Sequence, residues 1–318
     1  MQKHLLYLWF FMCISVGGFA QNTPNDGDWR QSKVSKGNTP EAAWMIRYGD
    51  IDNLGFGFVA GFDPFTGKST EAHPFPWAEK KEDLPGLDRI MLPSSFGKVE
   101  TPCNQDGYSD EYERLMKQYQ KTVFALSVSL DIPPTLSITS ARLLMFVDDF
   151  QSPVFCSRFE ATLNGRRAVF LENILNALNQ TGPVGKLVTI PIPSDFLDVL
   201  KAKTLDILID DPHSGAGDGF AIDFVKILVN PVLDAQKNGH IQGILVDADS
   251  GSPVVGATVS IPGLVQSQSN EKGEFMLKGV PAGFNVLQVC VPAYKGQTFN
   301  VDVVENEITR TTLEMRND

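Results

Sequence analysis

Between residues 42 and 233 the apolar residues come in short segments, and each segment is followed by residues that are typical of turns. The clearest case is Arg158–Leu163, then Asn164-Gly165, then Arg166–Leu171. An Asn-Gly pair tolerates the positive φ angles of a type I′ turn, whose twist matches that of antiparallel strands. We therefore predict a β-hairpin here and an all-β fold for this region.

Five further segments have the length and composition of strands: Thr122–Leu130, Ala141–Val147, Lys186–Ile192, Leu205–Ile209 and Phe220–Val229. Two short helices are expected, one with Leu171, Leu175 and Leu178 at helical spacing and one that begins near Ser194. The 27 glycines and 20 prolines supply the turns that many short strands need. The pattern predicts a β-sandwich with minor helices over residues 41–234, arranged as a jelly roll.

The first twenty residues have the features of a secretory signal peptide. Lys3 and His4 precede an apolar segment from Leu5 to Val16, and small residues end the segment at Ala20. The apolar part is too short for a membrane span, which needs about 20 residues. We predict export to the periplasm, the cell surface or the medium, followed by a flexible linker over residues 21–40.

The charge balance argues against two classes of partner. The chain has 27 Lys and Arg against 38 Asp and Glu, a net charge of −11 and a pI near 4.9. Phosphate backbones and anionic membrane surfaces attract clusters of basic residues, which this sequence does not contain. The charge balance therefore predicts neither a nucleic acid nor an anionic membrane surface as a partner. We also expect no transmembrane segment, since no other apolar segment has the length of a membrane span.

A denser pattern begins at His240. It comprises Gly243-Ile-Leu-Val-Asp-Ala-Asp-Ser-Gly-Ser-Pro253 with Gly256-Ala-Thr-Val259, then Glu271-Lys-Gly-Glu-Phe275, then Val280-Pro-Ala-Gly283. In this order and spacing the residues resemble the carboxypeptidase regulatory-like domain family, over residues 239–318. The resemblance implies a transthyretin-like β-sandwich that acts as a spacer or docking module.

In metallocarboxypeptidases this domain follows a zinc enzyme, so we asked whether residues 42–233 can be one. Zinc hydrolysis needs several His or Glu ligands and a carboxylate base. Only His73 and His213 lie in this region, and neither belongs to an H-x-x-E or H-E-x-x-H pattern. We therefore expect a non-catalytic protein for binding, adhesion or assembly at the cell envelope.

A calcium site is expected in the first domain. Carboxylate and amide oxygens are the ligands that Ca²⁺ prefers, and the ends of a domain commonly lie close together. The end of the domain, around Asp223, also weakly resembles the terminal strand of calcium-stabilised carbohydrate-binding jelly rolls. The predicted ligands are Asp50, Asp52, Asn53 and Asp223. The alternative is a salt bridge from these acids to Arg47, Arg89 or Arg142.

The segment from Arg47 to Trp77 is rich in glycine, proline and aromatic residues. Aromatic side chains stack on sugar rings, so a glycan is one expected ligand, with Phe65, Phe75 and Trp77 as the contact residues. The alternative is that these aromatic residues belong to the core.

Two adjacent acid pairs, Asp148-Asp149 and Asp210-Asp211, define an alternative function as a glycan-active hydrolase. Neighbouring residues on a strand face opposite sides, which argues against either pair acting on one bond. A purely structural envelope component is the third possibility.

Three cysteines follow the predicted signal peptide. The oxidising surroundings of an exported protein permit a Cys103–Cys156 disulfide, and Cys290 then has no partner within the chain.

Overall fold

The computed structural model describes residues 32–73, 125–180, 184–212, 220–232, 235–292 and 294–316. The predicted signal peptide, Phe75, Trp77, Arg89, Cys103 and His213 therefore lie outside the described residues.

The described residues form sixteen strands, one α-helix and three short 3-10 segments. The helix α1 is Val169–Leu178, and the 3-10 segments are Pro64–Thr66, Ser152–Phe155 and Ser194–Lys201. The all-β prediction is confirmed. The strands are β1 (Val34–Gly37), β2 (Ala42–Tyr48), β3 (Leu126–Ser129), β4 (Ala141–Asp148), β5 (Glu160–Leu163), β6 (Arg166–Arg167), β7 (Lys186–Ile192), β8 (Thr204–Asp210), β9 (Ala221–Pro231), β10 (Asn238–Asp247), β11 (Thr258–Ile261), β12 (Val265–Gln268), β13 (Glu274–Pro281), β14 (Gly283–Cys290), β15 (Gln297–Val303) and β16 (Ile308–Met315).

The N-terminal domain is a sandwich of two antiparallel sheets. One sheet has the order β1-β2-β9-β4-β7, and the other has the order β3-β8-β5-β6. If the eight strands from β2 to β9 are numbered 1 to 8 along the chain, the first sheet has the spatial order 1-8-3-6 and the second has the order 2-7-4-5. This is the strand arrangement of a jelly roll, as predicted. Apolar residues of both sheets, such as Met145 and Ile207, share one core.

The predicted hairpin is present but shorter than expected. Asn164 and Gly165 have φ angles of 50° and 77°, as a type I′ turn requires. The second strand, β6, contains only Arg166 and Arg167, because the chain enters α1 at Val169. Assigning residues 168–171 to a strand was therefore wrong.

The outer face of the larger sheet is covered by the chain itself. Phe146 and Phe224 lie on this face and stack at 5.9 Å. Phe58 contacts Phe146 edge-on at 5.8 Å, and Phe65 packs against Phe224 at 5.3 Å. The segment that follows β2 thus buries the second face of the sheet, which explains why β4 and β9 are apolar on both sides.

The C-terminal domain is a second, smaller sandwich. The sheet β13-β10-β16 packs on a sheet in which β14 pairs with β11 and β15, and β11 pairs with β12. Leu245, Phe275, Leu277 and Val289 belong to its core.

The two sandwiches are joined through one sheet. Phe284 of β14 pairs in parallel with Val188 of β7, which makes a nine-stranded sheet across both domains. Phe284 and Val286 belong to the hydrophobic core of the N-terminal domain. From its position in the sequence, Val286 is predicted to share one core with Phe275, Leu277 and Val289. That prediction is wrong, since Val286 and Val289 point to opposite faces of β14.

Two connecting segments are more ordered than expected. Residues 34–37 lie within the predicted flexible linker, but they form β1 and pair with β2. The sequence Gln236-Lys-Asn-Gly239 is typical of a hinge between domains, but β10 begins at Asn238, and Lys237 forms ion pairs with Asp63 and Glu305.

Candidate metal centre

Asp223 lies at an irregularity in β9. Phe146 of β4 pairs with Phe224, but the next residue, Val147, pairs with Ile222, so Asp223 is an extra residue in the ladder. Such a β-bulge redirects a side chain. Gly49 lies directly against it, and a Cβ there would sit 2.1 Å from the Asp223 carbonyl oxygen. Regular strand alternation would place Asp223 on the same face as Val225, but this alternation does not hold through the bulge.

A tight loop after β2 brings the other acids to Asp223. Asn53 and Leu54 have φ angles of 64° and 57°. The loop is closed by the Gly55 amide, which donates to Asp52 Oδ1 at 2.8 Å, and by the Gly57 amide, which donates to the Asp52 carbonyl at 2.8 Å. The Leu54 amide donates to Asp223 Oδ1 at 2.8 Å, so the loop is fixed to the bulge.

Asp50, Asp52 and Asp223 form an acidic cluster. Each contributes a carboxylate oxygen that lies within 4.8 Å of the other two. Asp223 is fully buried, and Asp52 is 7% exposed. Asp223 Oδ2 and Asp50 Oδ1 are buried and have no hydrogen-bond partner among the described residues. The sequence prediction named these three residues, and the structure brings them together.

The cluster holds excess negative charge. Burial, followed by the charges of Asp52 and Asp50, raises the pKa of Asp223 well above its usual value. Burial lowers the pKa of Arg47, whereas the nearby charges of Asp50 and Asp223 act to raise it. When all three acids are ionised, one guanidinium leaves two negative charges uncompensated, which is the charge of a divalent cation.

The geometry suits Ca²⁺, which binds six to eight oxygens at about 2.3–2.6 Å and combines carboxylates with carbonyls and water. Arg47, the alternative partner of these acids, also lies near Asp50 and Asp223, and its buried Nε has no hydrogen-bond partner in the described part of the chain. Burial also lowers the pKa of Arg142, without a contribution from these acids.

Asn53, the fourth predicted ligand, has a different role. Its amide nitrogen donates to the Gly57 carbonyl at 2.9 Å, and its Oδ1 lies 3.0 Å from His73 Nε2. The side chain therefore braces the loop and the His73 ring, while its backbone helps to hold Asp223.

Of the predicted sugar-contacting residues, only Phe65 is among the described ones. Its ring packs on Phe224, and Lys226 Nζ lies 4.9 Å from its centre. Phe65 thus covers the sheet and does not form part of an exposed aromatic surface for sugar stacking. Phe75 and Trp77 lie outside the described residues.

The paired acids of the hydrolase alternative are largely buried. Asp148, Asp149 and Asp211 are 0%, 1% and 1% exposed. His73 Nδ1 lies 2.9 Å from Asp148 Oδ2, and Ser157 donates to Asp211. Burial raises the pKa of Asp149 to about 7, although Gln151 donates to it. The His73–Asp148 pair was not predicted, since no local motif links residues so far apart.

Cys156 is disulfide-bonded, with its partner outside the described residues. Cys290 is a free, exposed cysteine. No helix in the described ranges has the length and apolar character to cross a membrane.

Comparison with known proteins assigns the C-terminal region to a domain class. Residues 240–316 match the carboxypeptidase regulatory-like domain family. This confirms the resemblance drawn from the sequence motifs. The match covers about a quarter of the chain, and the jelly roll lies outside it.

One curated relative is Bacillopeptidase F of Bacillus subtilis (strain 168), which is 28% identical over 86 residues. The aligned part is 26% of this chain and 6% of that protein, so this chain spans a small part of the relative's length.

Solved structures with some likeness are all β-rich but distant. A type II cohesin–X-dockerin complex from Acetivibrio cellulolyticus is 23% identical, with 24% of this chain and 56% of that chain covered, at a TM-score of 0.21. The pilin BcpA of Bacillus cereus is 12% identical, with 57% and 60% covered, at 0.21. The minor pilin GBS52 of Streptococcus agalactiae is 13% identical, with 62% and 91% covered, at 0.23. TM-scores this low do not define a common topology.

Proposed function

We propose that this protein is an exported, non-catalytic component of the cell envelope that serves binding or assembly, with Ca²⁺ as a structural ion in its jelly roll. The single observation that supports it best is the sheet that runs through both sandwiches. It makes the two domains one body, which suits a spacer that presents a binding surface at a fixed position.

Side-chain contacts support this rigid body. Lys237 Nζ bridges Asp63 Oδ2 at 2.5 Å and Glu305 Oε2 at 3.1 Å, and Lys186 Nζ lies 2.6 Å from Asp302 Oδ2. Individually such exposed pairs contribute little, about 0–1 kcal/mol. Here these ion pairs join the two domains beside the strand pairing and the shared apolar core, so they favour one relative orientation of the domains.

The Ca²⁺ proposal rests on the acidic cluster. An ionised Asp223 that is fully buried needs a cation or several N–H donors, because an uncompensated buried charge is costly. Leu54 donates to one of its oxygens, and the other oxygen is buried without a hydrogen-bond partner among the described residues. Bound Ca²⁺ would use that oxygen and would hold the loop after β2 against the bulge in β9.

A glycan is the proposed ligand class for the binding surface, as the aromatic segment from Arg47 to Trp77 suggests. A glycan array probed with the mature chain tests it. We expect binding that Trp77→Ala weakens and that Val169→Ala, an exposed substitution on α1, leaves unchanged. Binding that is equal in wild type and Trp77→Ala would exclude this ligand site.

The non-catalytic assignment has its own test. Incubation of the mature chain with polysaccharides should release no new reducing ends. Release that is lost in Asp149→Asn would overturn the assignment and favour the hydrolase alternative. The burial of Asp148, Asp149 and Asp211 leads us to expect no turnover.

A further inference from the structure

A cleft of about 540 Å³ opens at the junction of the two sandwiches. We call it the junction cleft. Its floor is the shared sheet, with Ile190 of β7 and Phe284 of β14, and one wall is α1, with Phe170 and Ile174. The volume lies within the range of about 300–1,000 Å³ that is typical of small-molecule sites, and domain junctions are a common place for them.

The position of the cleft follows from the way in which β7 and β14 meet. The two strands pair only at Val188 and Phe284. Beyond this point β14 pairs with β11, and the β11–β12 turn at Pro262-Gly263 borders the cleft. The sheet has a gap between the β7–β14 pairing and the β11–β14 pairing, and α1 lies above this gap. The cleft is therefore enclosed on several sides by strands and by the helix.

The chemistry of the lining is unusual for this chain. None of the described residues that line the junction cleft is ionisable, although the chain has 38 acidic and 27 basic residues. Most of the lining is apolar, and the polar residues are neutral hydroxyl and amide side chains such as Thr189 and Gln288. An ion placed there would lose its hydration without gaining a counter-charge. The lining therefore selects an uncharged ligand.

One of the polar residues of the lining is buried. Asn285 is 4% exposed and lines the cleft. Its amide nitrogen donates to the carbonyls of Pro281 and Gly283, both at 2.9 Å. These two bonds hold the amide of Asn285 within the chain, so it adds no charge to the cleft.

We propose that the junction cleft binds an uncharged, largely apolar small molecule. This binding site is separate from the acidic cluster and does not depend on Ca²⁺. It adds a ligand class to the envelope function proposed above, and its test is independent of calcium and of glycans.

N-phenyl-1-naphthylamine is a suitable probe, because it is neutral and apolar, and its fluorescence increases in apolar surroundings. We expect saturable binding to the mature chain, unchanged by EDTA. Decanol should displace the probe at concentrations about tenfold lower than decanoate does, since the cleft offers no counter-charge. Equal displacement by the two competitors would contradict the selection for uncharged ligands.

Variants locate the site. Leu197→Glu places a carboxylate in the lining and should weaken probe binding by about tenfold or more. Asn173→Trp, at an exposed position of the lining on α1, should weaken it by occupying space and tests the same site if the first variant does not fold. Val169→Glu, on the same helix but outside the lining, is the matched control and should bind as wild type. Wild-type binding in folded Leu197→Glu and Asn173→Trp, or no saturable binding to wild type, would overturn the proposal.

Discussion

The Leu54 amide donates a hydrogen bond to Asp223 Oδ1 at 2.8 Å, although the two residues are 169 positions apart. The contact divides the Asp223 carboxylate between two roles. One oxygen fixes the loop after β2, and the other, Oδ2, is buried and has no hydrogen-bond partner in the described part of the chain.

The first prediction concerns Asp223→Asn and calcium. At a Ca²⁺ concentration 100 times Kd, wild type should gain about 2.7 kcal/mol of unfolding free energy, and EDTA should remove it. Asp223→Asn should lose this gain. In EDTA it should be more stable than wild type, because a neutral amide avoids burying an ionised group. Calorimetric melting temperatures with and without Ca²⁺ measure both effects.

Asp249→Asn is the control for this experiment, since Asp249 is exposed and lies in the other domain. It should respond to Ca²⁺ as wild type does. A melting temperature of wild type that is insensitive to millimolar Ca²⁺ would remove the proposed ion while leaving the fold intact.

The second prediction concerns pH and Asp149. Burial raises the pKa of Asp149 to about 7 in the folded protein, so the folded state binds this proton more tightly than the unfolded chain does. Its contribution to stability is complete below about pH 4 and is lost as the pH rises through about 7. Asp149→Asn should reduce that loss by on the order of 2–4 kcal/mol.

Urea unfolding at about pH 5 and about pH 8 measures the difference. Asparagine suits the left-handed backbone of this position, where φ is 62°. Equal pH dependence of wild type and Asp149→Asn between these values would show that Asp149 is not the titrating group.

The third prediction compares two glycines with nearly the same backbone. Gly67 and Gly61 have φ angles of 84° and 80°. A Cβ at Gly67 would lie 2.2 Å from the Val303 carbonyl oxygen and 2.3 Å from the Gly283 amide, whereas a Cβ at Gly61 would meet nothing within 4 Å. Gly61→Ala should cost about 1–2 kcal/mol from backbone strain alone.

Gly67→Ala should cost clearly more than this in urea unfolding, because the domain junction must open to admit the methyl group. Similar losses in the two variants would mean that the packing of Gly67 against the C-terminal domain is not maintained in solution.

The fourth prediction concerns the bridge from Lys237 to Asp63 and Glu305. Burial acts to raise the pKa of Asp63, but hydrogen bonds from Lys237 and the Phe65 amide outweigh it and lower that pKa. Lys237→Met should destabilise the protein by about 0.5–1 kcal/mol at low salt and by less at high salt.

Lys278→Met is the matched control, as Lys278 is exposed on β13 and forms no ion pair with another described residue. It should change the unfolding free energy by a few tenths of a kcal/mol at most. A loss in Lys237→Met that is the same at both salt concentrations would contradict an electrostatic role for the bridge.

Much of the fold could be predicted because it depends on local patterns. The strand at Lys186–Ile192 has the predicted bounds, and the strands at Ala141 and Leu205 differ by one residue at their ends. Asn164-Gly165 determined a turn, and the motif around Gly243–Val259 determined the C-terminal fold. In each case the signal lies in a few neighbouring residues.

The features that were missed depend on contacts between distant residues. Nothing near Val286 in the sequence indicates that it packs in the core of the N-terminal domain. A strand that is buried on both faces is apolar throughout, whichever domain covers each face. The bulge at Asp223 depends on the register between β4 and β9. The convergence of Asp50, Asp52 and Asp223 was predictable from residue type, but the role of Asn53 follows from where His73 lies.

The pairing of Phe284 with Val188 means that the sequence boundary of the C-terminal domain is not a boundary of its packing. If the chain were cut near residue 235, the jelly roll would lose Phe284 and Val286 from its interior, and the excised partner would expose both to water. Residues 240–316 therefore match a domain family as a sequence unit but are not an independent packing unit, and moving them into another protein would require a new surface to cover β14.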